Sequence, residues 1–302
     1  MTVERLQSLV SIVIPGKNAE RSIDRVLRMI FQQSWSHFEV VFIDSGSIDR
    51  TLEIIKNYPV RVQQIRPEDF NHGCTRNMGV DIAKGDILVY LNSDAIPYNK
   101  EWLENLVRPL EQPRVAASYS RQIPHSGLNP ADEYFIYRTY PETPKIFEAN
   151  HLGGKSPDNF VLFSTVSAAI RGDVAKRLRF RDNINLCEDQ ELACRILRSG
   201  YRIAYQPESI VIHSHKRTLL DLFHRYYETG YSTRSIPEFR SYRVSESVRY
   251  LRDLTRETTC YVHRRVNHKQ TYWCLYSILH ILVKSLGFYI GRMRGLKNPV
   301  HN

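Results

Sequence analysis

The sequence predicts a doubly wound α/β sheet with a helical extension behind it, and three observations lead there. Short β-branched runs alternate with amphipathic stripes through residues 10–92, the pattern of strand and helix in turn. The runs end on polar segments at 15–18, 44–47 and 92–94, and ligands of such sheets bind outside the carboxyl ends of the strands. From residue 216 the pattern turns helical and the charge changes with it. Residues 216–302 hold 16 Lys/Arg against 6 Asp/Glu, whereas 1–215 hold 26 of each.

Each element has its own signal. The β-branched run 10-VSIVI-14 is a buried strand. Residues 20–33 place Ile23, Val26, Leu27, Ile30 and Phe31 at helical spacing. A second strand, 39-EVVFID-44, ends in an acid. The segment 48–58 reads as a helix with Ile48, Leu52 and Ile55 inward. Strand 60-VRVQQI-65, a helix over 74–83 and strand 87-ILVYLN-92 complete the alternation.

The middle is less regular. Strand-like runs stand at 115-VAASYS-120, 161-VLFSTVSAAI-170 and 209-SIVIH-213, and a helix over 188–199 stops at Gly200. Residues 124–160, rich in Pro, Asn, Gly and Asp, read as a long functional loop region with a helix near 131–139. Beyond 216, residues 244–254 put Val244, Val248, Leu251 and Leu254 on one face. The apolar stretch 271–290 carries His280 and Lys284 one turn apart. A spanning helix has ~18 or more apolar residues with few or no charges, so this one reads as amphipathic.

The chain has 302 residues and is 42% hydrophobic, enough for one large domain or two modest ones. Its five cysteines (Cys74, Cys187, Cys194, Cys260 and Cys274) form no Cys-x-x-Cys pair. No disulfide framework or structural zinc site follows, and a reducing compartment is the default. The run 9-LVSIVIP-15 is too short for a signal core, so a cytoplasmic location is expected.

Four groups could carry chemistry. Asp94 in 92-NSD-94 sits at a strand end before a proline, where it either forms a turn or holds a hard divalent cation. Glu188, Asp189 and Glu191 open a helix; they either answer its dipole or include a general base. His213 and His215 in 213-HSH-215 share a strand face, as structural histidines or as ligands to a metal or phosphate. In 70-FNHGCTRN-77, Asn71 or Thr75 can cap the following helix. His72, Gly73 and Arg76 together suggest an anion site made with the helix amides.

In this order the pieces resemble the inverting glycosyltransferases of family 2. The segment 13-VIPGKN-18 is similar to the family's I-P-T-Y-N, and 43-IDSGSIDRT-51 to D-D-G-S-T-D-G-T. Likewise 84-KGDILVYLNSDA-95 resembles G-x-x-x-x-x-L-D-x-D, and 188-EDQELACRILRSGYRIAYQP-207 resembles the acceptor-side E-D-x-x-L block. A narrower likeness, to bacterial rhamnosyltransferases, rests on 69-DFNHGCTRN-77, 91-LNSDAIP-97, 117-ASYSRQIP-124 and 211-VIHSH-215. Three departures stand out. N-S-D replaces D-x-D, Gly16 and Lys17 replace Thr-Tyr, and Ile48 and Arg50 replace Thr and Gly.

The resemblance implies a GT-A fold, a Rossmann-like doubly wound mixed sheet. Residues 1–115 would be its nucleotide-sugar half, 116–215 its acceptor-side half, and 216–302 a basic helical extension. It implies Mg2+ or Mn2+ on Asp94 with His213 or His215. Asp44, with Ser45 and the Pro15, Lys17, Asn18 turn, would recognise the base or ribose of a dTDP- or UDP-sugar, and the narrower likeness implies dTDP-L-rhamnose as that donor. His72, Arg76, Asn92 and Ser93 would line the donor site, and Arg121 and Gln122 would contact sugar or diphosphate. Asp189 would be the base and Glu188 its orienting partner.

The acceptor would be a saccharide or a polyprenyl-diphosphate-linked saccharide of a surface polysaccharide. Helix 271–290 could lie on an anionic membrane, pack on the catalytic domain, or form a homodimer seam. Alternatives are a UDP-hexose or UDP-amino-sugar transferase of the same fold and a non-catalytic basic binding protein. No nucleic-acid motif stands out, and no nucleic-acid partner is expected.

Overall fold

A computed structural model of the chain describes residues 8–152, 162–184, 186–234, 236–237, 244–266 and 272–297, with the backbone alone at 244–251 and 295–297. The strands are β1 (Val10–Gly16), β2 (Phe38–Asp44), β3 (Val60–Gln64), β4 (Ile87–Leu91), β5 (Ile96–Pro97), β6 (Val115–Ile123), β7 (Lys145–Phe147), β8 (Ser167–Arg171) and β9 (Arg202–Ile212). They form one nine-stranded sheet in the order β3-β2-β1-β4-β8-β6-β9-β5, with β7 also on β9. The first four strands are parallel to their neighbours. Strand β8 runs antiparallel between β4 and β6, so the sheet is mixed.

Alternation along the strands builds two apolar layers, because successive side chains point to opposite faces. Val10, Ile12 and Ile14 face α1 (Ile23–Ile30), α2 (Thr51–Ile55) and α4 (Trp102–Val107). Val13, Val41 and Tyr90 face α3 (His72–Ile82), α6 (Gly172–Leu178) and α7 (Glu188–Arg198). Helices on both faces leave the carboxyl ends of β1, β2 and β4 open at one edge. Register pairs Gly16 with Asp44 there.

The remaining helices are α5 (Pro130–Thr139), α8 (Leu219–Thr233), α9 (Val244–Arg265) and α10 (Tyr272–Lys297). Helices α8 and α10 cross at backbone contact. A Cβ at Gly230 would stand 2.1 Å from the Phe288 carbonyl oxygen, and one at Gly291 would stand 1.9 Å from that of Tyr227. Only glycine allows so close an approach.

The structure shows how this last helix is turned. His280 is fully buried, and its Nε2–H donates to the Asp132 carboxylate of α5 at 2.7 Å. The Lys284 ammonium lies 3.7 Å from the centre of the Phe135 ring. Solvent instead meets Leu275, Leu279, Leu282 and Leu286. By length and composition the Tyr272–Arg294 stretch could cross a membrane; here Ser277, His280 and Lys284 are held inside the protein.

Two further expectations change. The helix over 48–58 shrinks to α2, and Ile48, expected inward, is 93% exposed in the loop before it. The run 161–170 gives strand only from Ser167. The side chains of Val244, Val248 and Leu251 lie outside the described residues, as do positions 153–161 of the long loop.

Candidate active site

The loops after β1 and β2 are tied to each other. Asn18 has a left-handed backbone, φ 52°, which asparagine tolerates better than most residues. Its amide N–H donates to Ser47 Oγ at 2.9 Å, and its side-chain oxygen accepts from the Ile48 N–H at 2.9 Å. Asp49 accepts from the Thr51 hydroxyl and from the Glu20 N–H, and Thr51 Oγ1 accepts from the Ala19 N–H. The S-G-S-I-D-R-T signature thus fixes a rim. Gly16 has a local reason too: a Cβ there would stand 2.5 Å from the Phe42 ring.

The F-N-H-G-C-T-R-N run docks a helix. Asn71 caps α3, its side-chain oxygen accepting from the N–H groups of Gly73 and Cys74. Gly73 lets the Arg181 backbone approach, since a Cβ would sit 2.4 Å from its oxygen. Asn77 exchanges two 2.8 Å hydrogen bonds with the Phe180 backbone. Arg76 donates to Glu188 at 2.6 Å, with both side chains nearly buried. The anion site expected from the helix amides and Arg76 is therefore largely satisfied within the protein. Cys187, just before Glu188, has φ 67°, a left-handed conformation costly for a non-glycine residue.

A cleft of ≈ 380 Å³ opens above these loops. Pro15, Lys17, Asn18, Ser45, His72, Arg76, Asn92, Ser93 and Asp94 are all on its wall. At its edge, ligand atoms of Asp94, His213 and His215 lie within 4.8 Å of one another. His213 Nδ1 meets the Gln122 side-chain oxygen at 2.9 Å, and the Gln122 NH2 donates to Tyr140 Oη and Ser164 Oγ. Because that oxygen can only accept, it fixes the proton on Nδ1 and leaves a lone pair on Nε2.

His213 Nε2 is buried without a hydrogen-bond partner and stands 3.6 Å from Asp94. Burial lowers the His213 pKa to about 4, so the ring is neutral at pH 7. A carboxylate with two imidazoles, one aiming an orphaned lone pair inward, fits a divalent cation.

Asp189 accepts from the N–H of Gln190 at 2.8 Å and of Thr165 at 3.4 Å. Removal from water, then the charge of Glu188, raises its pKa to about 7, against the pull of Arg76. It lies within electrostatic reach of His72 and Arg76, both on the cleft wall. Segment 164–165 serves two groups, Ser164 receiving the Gln122 amide and Thr165 reaching Asp189.

A family model described as "Glycosyl transferase family 2" matches residues 11–170. The chain belongs to glycosyltransferase family 2. It is 34% identical over 229 residues to the O-antigen chain rhamnosyltransferase RfbN of Salmonella typhimurium, covering 73% of this chain and 71% of that one. It is 36% identical over 226 residues to the O-antigen chain rhamnosyltransferase WbaN of Salmonella anatum, covering 73% and 70%.

Among solved structures, a mannosyltransferase of Pyrobaculum calidifontis in complex with GDP-Man and Mn2+ superposes with TM-score 0.62 at 16% identity, covering 93% and 87%. The glucosyl-3-phosphoglycerate synthase of Mycobacterium tuberculosis, with Mn2+ and UDP, gives 0.54 at 19%, covering 79% and 82%. These two show the GT-A fold. The protein is a glycosyltransferase of an inverting family.

In this glycosyltransferase, not every expected residue reaches the cleft. Asp44 is fully buried and accepts from the N–H groups of Gly46 and Ser47; it holds the turn that presents Ser45. Gln122, expected on the sugar, orients His213 instead. Arg121 pairs with Glu142 at 2.9 Å and is not on the cleft wall. Sequence reading missed the wall residues Ser22, Pro67 and Phe70 and the support from Tyr140 and Ser164. Phe70 opens the F-N-H-G segment and Pro67 lies three residues before it, a signal that was present; Tyr140 and Ser164 lie in segments without a motif.

Proposed function

We propose that this glycosyltransferase moves L-rhamnose from dTDP-L-rhamnose onto a growing surface polysaccharide, acting on a polyprenyl-diphosphate-linked acceptor at the cytoplasmic face of a membrane. The observation that carries the reading is the convergence of Asp94, His213 and His215 at the edge of a cleft that also holds Lys17 and Arg76. The rhamnosyl specificity is supported by the Salmonella relatives, whose similarity spans most of both chains.

Asp94, His213 and His215 are the proposed metal ligands. A divalent cation bound there would neutralise charge on the departing diphosphate; two imidazoles favour Mn2+ over Mg2+. Lys17, exposed at the wall, adds positive charge toward the donor phosphates, and Ser45 with Asn18 frames the base and ribose.

Asp189 is the proposed general base, with a pKa near the working pH. The acceptor hydroxyl gives its proton to the Asp189 carboxylate as its oxygen bonds to the anomeric carbon. The bond from that carbon to the diphosphate oxygen breaks on the opposite face, and the centre inverts. Glu188 stays charge-paired to Arg76 and, as a negative neighbour, keeps Asp189 basic.

Slow donor hydrolysis with Mn2+, across dTDP-L-rhamnose, UDP-glucose, UDP-N-acetylglucosamine and GDP-mannose, tests the donor. Preferential turnover of dTDP-L-rhamnose is expected. Preference for a UDP-sugar would replace the rhamnosyl reading with the UDP-hexose one.

A further inference from the structure

A second cavity, ≈ 530 Å³, lies between the 127–130 turn and the start of α10. Lys216, Arg217 and Arg265 bring cations to it, and Tyr272, Trp273 and Tyr276 bring aromatic faces. Along the chain it is close to the Asp94 cluster: Lys216 and Arg217 directly follow His215, and the His125 N–H donates to Ser214 Oγ. Arg265 reaches Glu133 at 3.5 Å. Among the described residues, neither Lys216 nor Arg217 pairs with a carboxylate.

Arg217 is partly buried in the cavity wall. Three cationic side chains on one wall suit a bound anion. Aromatic rings beside a cationic pocket suit a ligand with a charged end and an apolar end.

The exposed face of α10 continues from this cavity. Leu275, Leu279, Leu282, Leu286 and Met293 are each at least 47% exposed and fall on one stripe. So long an uncovered apolar stripe marks an interaction surface. Its start at a cationic pocket argues for an amphiphile rather than a second copy, because a symmetric pairing would bring like-charged patches together.

We infer that this cavity and stripe form the acceptor's lipid-phosphate site, with Lys216 and Arg217 holding the diphosphate and α10 carrying the isoprenoid chain. The inference rests on the glycosyl-transfer reading for its acceptor, and it places that acceptor's reducing end one segment away from the metal-binding cluster. A lipid-linked saccharide held there would reach back over residues 213–217 toward Asp189.

The test uses the full chain with farnesyl diphosphate, inorganic pyrophosphate and farnesol as probes, with a chelator present so that the Asp94 cluster holds no ion. Binding is read by equilibrium dialysis and by the fluorescence of Trp273. Farnesyl diphosphate is expected to bind more tightly than either fragment. The Lys216→Ala/Arg217→Ala variant should bind it at least about tenfold more weakly, because both charge-assisted contacts to the diphosphate are lost; Arg217→Lys should retain most of the affinity.

Equal binding by parent and double variant overturns the site. Pyrophosphate binding as tightly as farnesyl diphosphate assigns it to a free anion and overturns the lipid. A dimer dispersed by Leu279→Glu, with no farnesyl diphosphate bound by the parent, overturns it in favour of a seam. Donor hydrolysis by the parent chain is measured separately; its absence defeats the transfer reading without touching the binding result.

Discussion

The Arg76 guanidinium meets the Glu188 carboxylate at 2.6 Å across 112 positions of sequence, each side chain 6% exposed. The contact joins α3, on the cleft wall, to the first turn of α7, beside Asp189. A buried pair is costly to break because it strands a charge. Arg76→Ala and Glu188→Gln should each lower stability by about 3–5 kcal/mol. The double change Arg76→Ala/Glu188→Gln should cost less than the sum of the two. Urea unfolding of the four proteins measures this cycle.

Asp189 sets a pH dependence. With its pKa near 7, kcat/KM for transfer should rise with pH and level off above about 7, because the protonated acid cannot accept a proton. His72, held at about 4, stays neutral throughout and adds no limb there.

Stability should move the other way. The folded state keeps the Asp189 proton between its ordinary range and about pH 7, where the unfolded chain has lost it. This group's stabilising term is therefore complete at low pH and declines as pH rises through 7. Asp189→Asn should raise Tm over the parent at pH 8 and much less at pH 4, as calorimetry can measure.

Gln122 should matter without touching the ion. Gln122→Leu frees the His213 ring and should weaken Mn2+ binding about 10–100-fold. Activity should return at high Mn2+ if the residue only orients. Titration calorimetry and a Mn2+ dependence of kcat separate the two effects.

Much of this was legible in sequence. Alternation placed β1, β2 and β4 and their carboxyl ends, because strand and helix periods differ plainly in 10–92. What escaped depended on partners far along the chain. The 271–290 stretch does not name the partners of His280 and Lys284, which turn inward onto Asp132 and Phe135 of α5. The family resemblance implies Asp44 and Gln122 as ligand contacts. Their hydrogen bonds to the 46–47 turn and to His213 are visible only once the loops are placed.

Helix packing offers a prediction of its own. Gly291→Leu forces a side chain against the Tyr227 backbone and should cost about 1–3 kcal/mol or more. Limited proteolysis between α8 and α10 should accelerate, while the Arg76–Glu188 region stays protected.

The central claim is that Asp189 removes the acceptor proton from a sugar acceptor while donor and metal sit in the neighbouring cleft. Single-turnover transfer by Asp189→Asn, with dTDP-L-rhamnose and Mn2+ already bound, addresses it directly. Donor affinity should match the parent within a few-fold, and transfer should fall at least about 100-fold. Transfer at the parental rate by this variant would contradict the account.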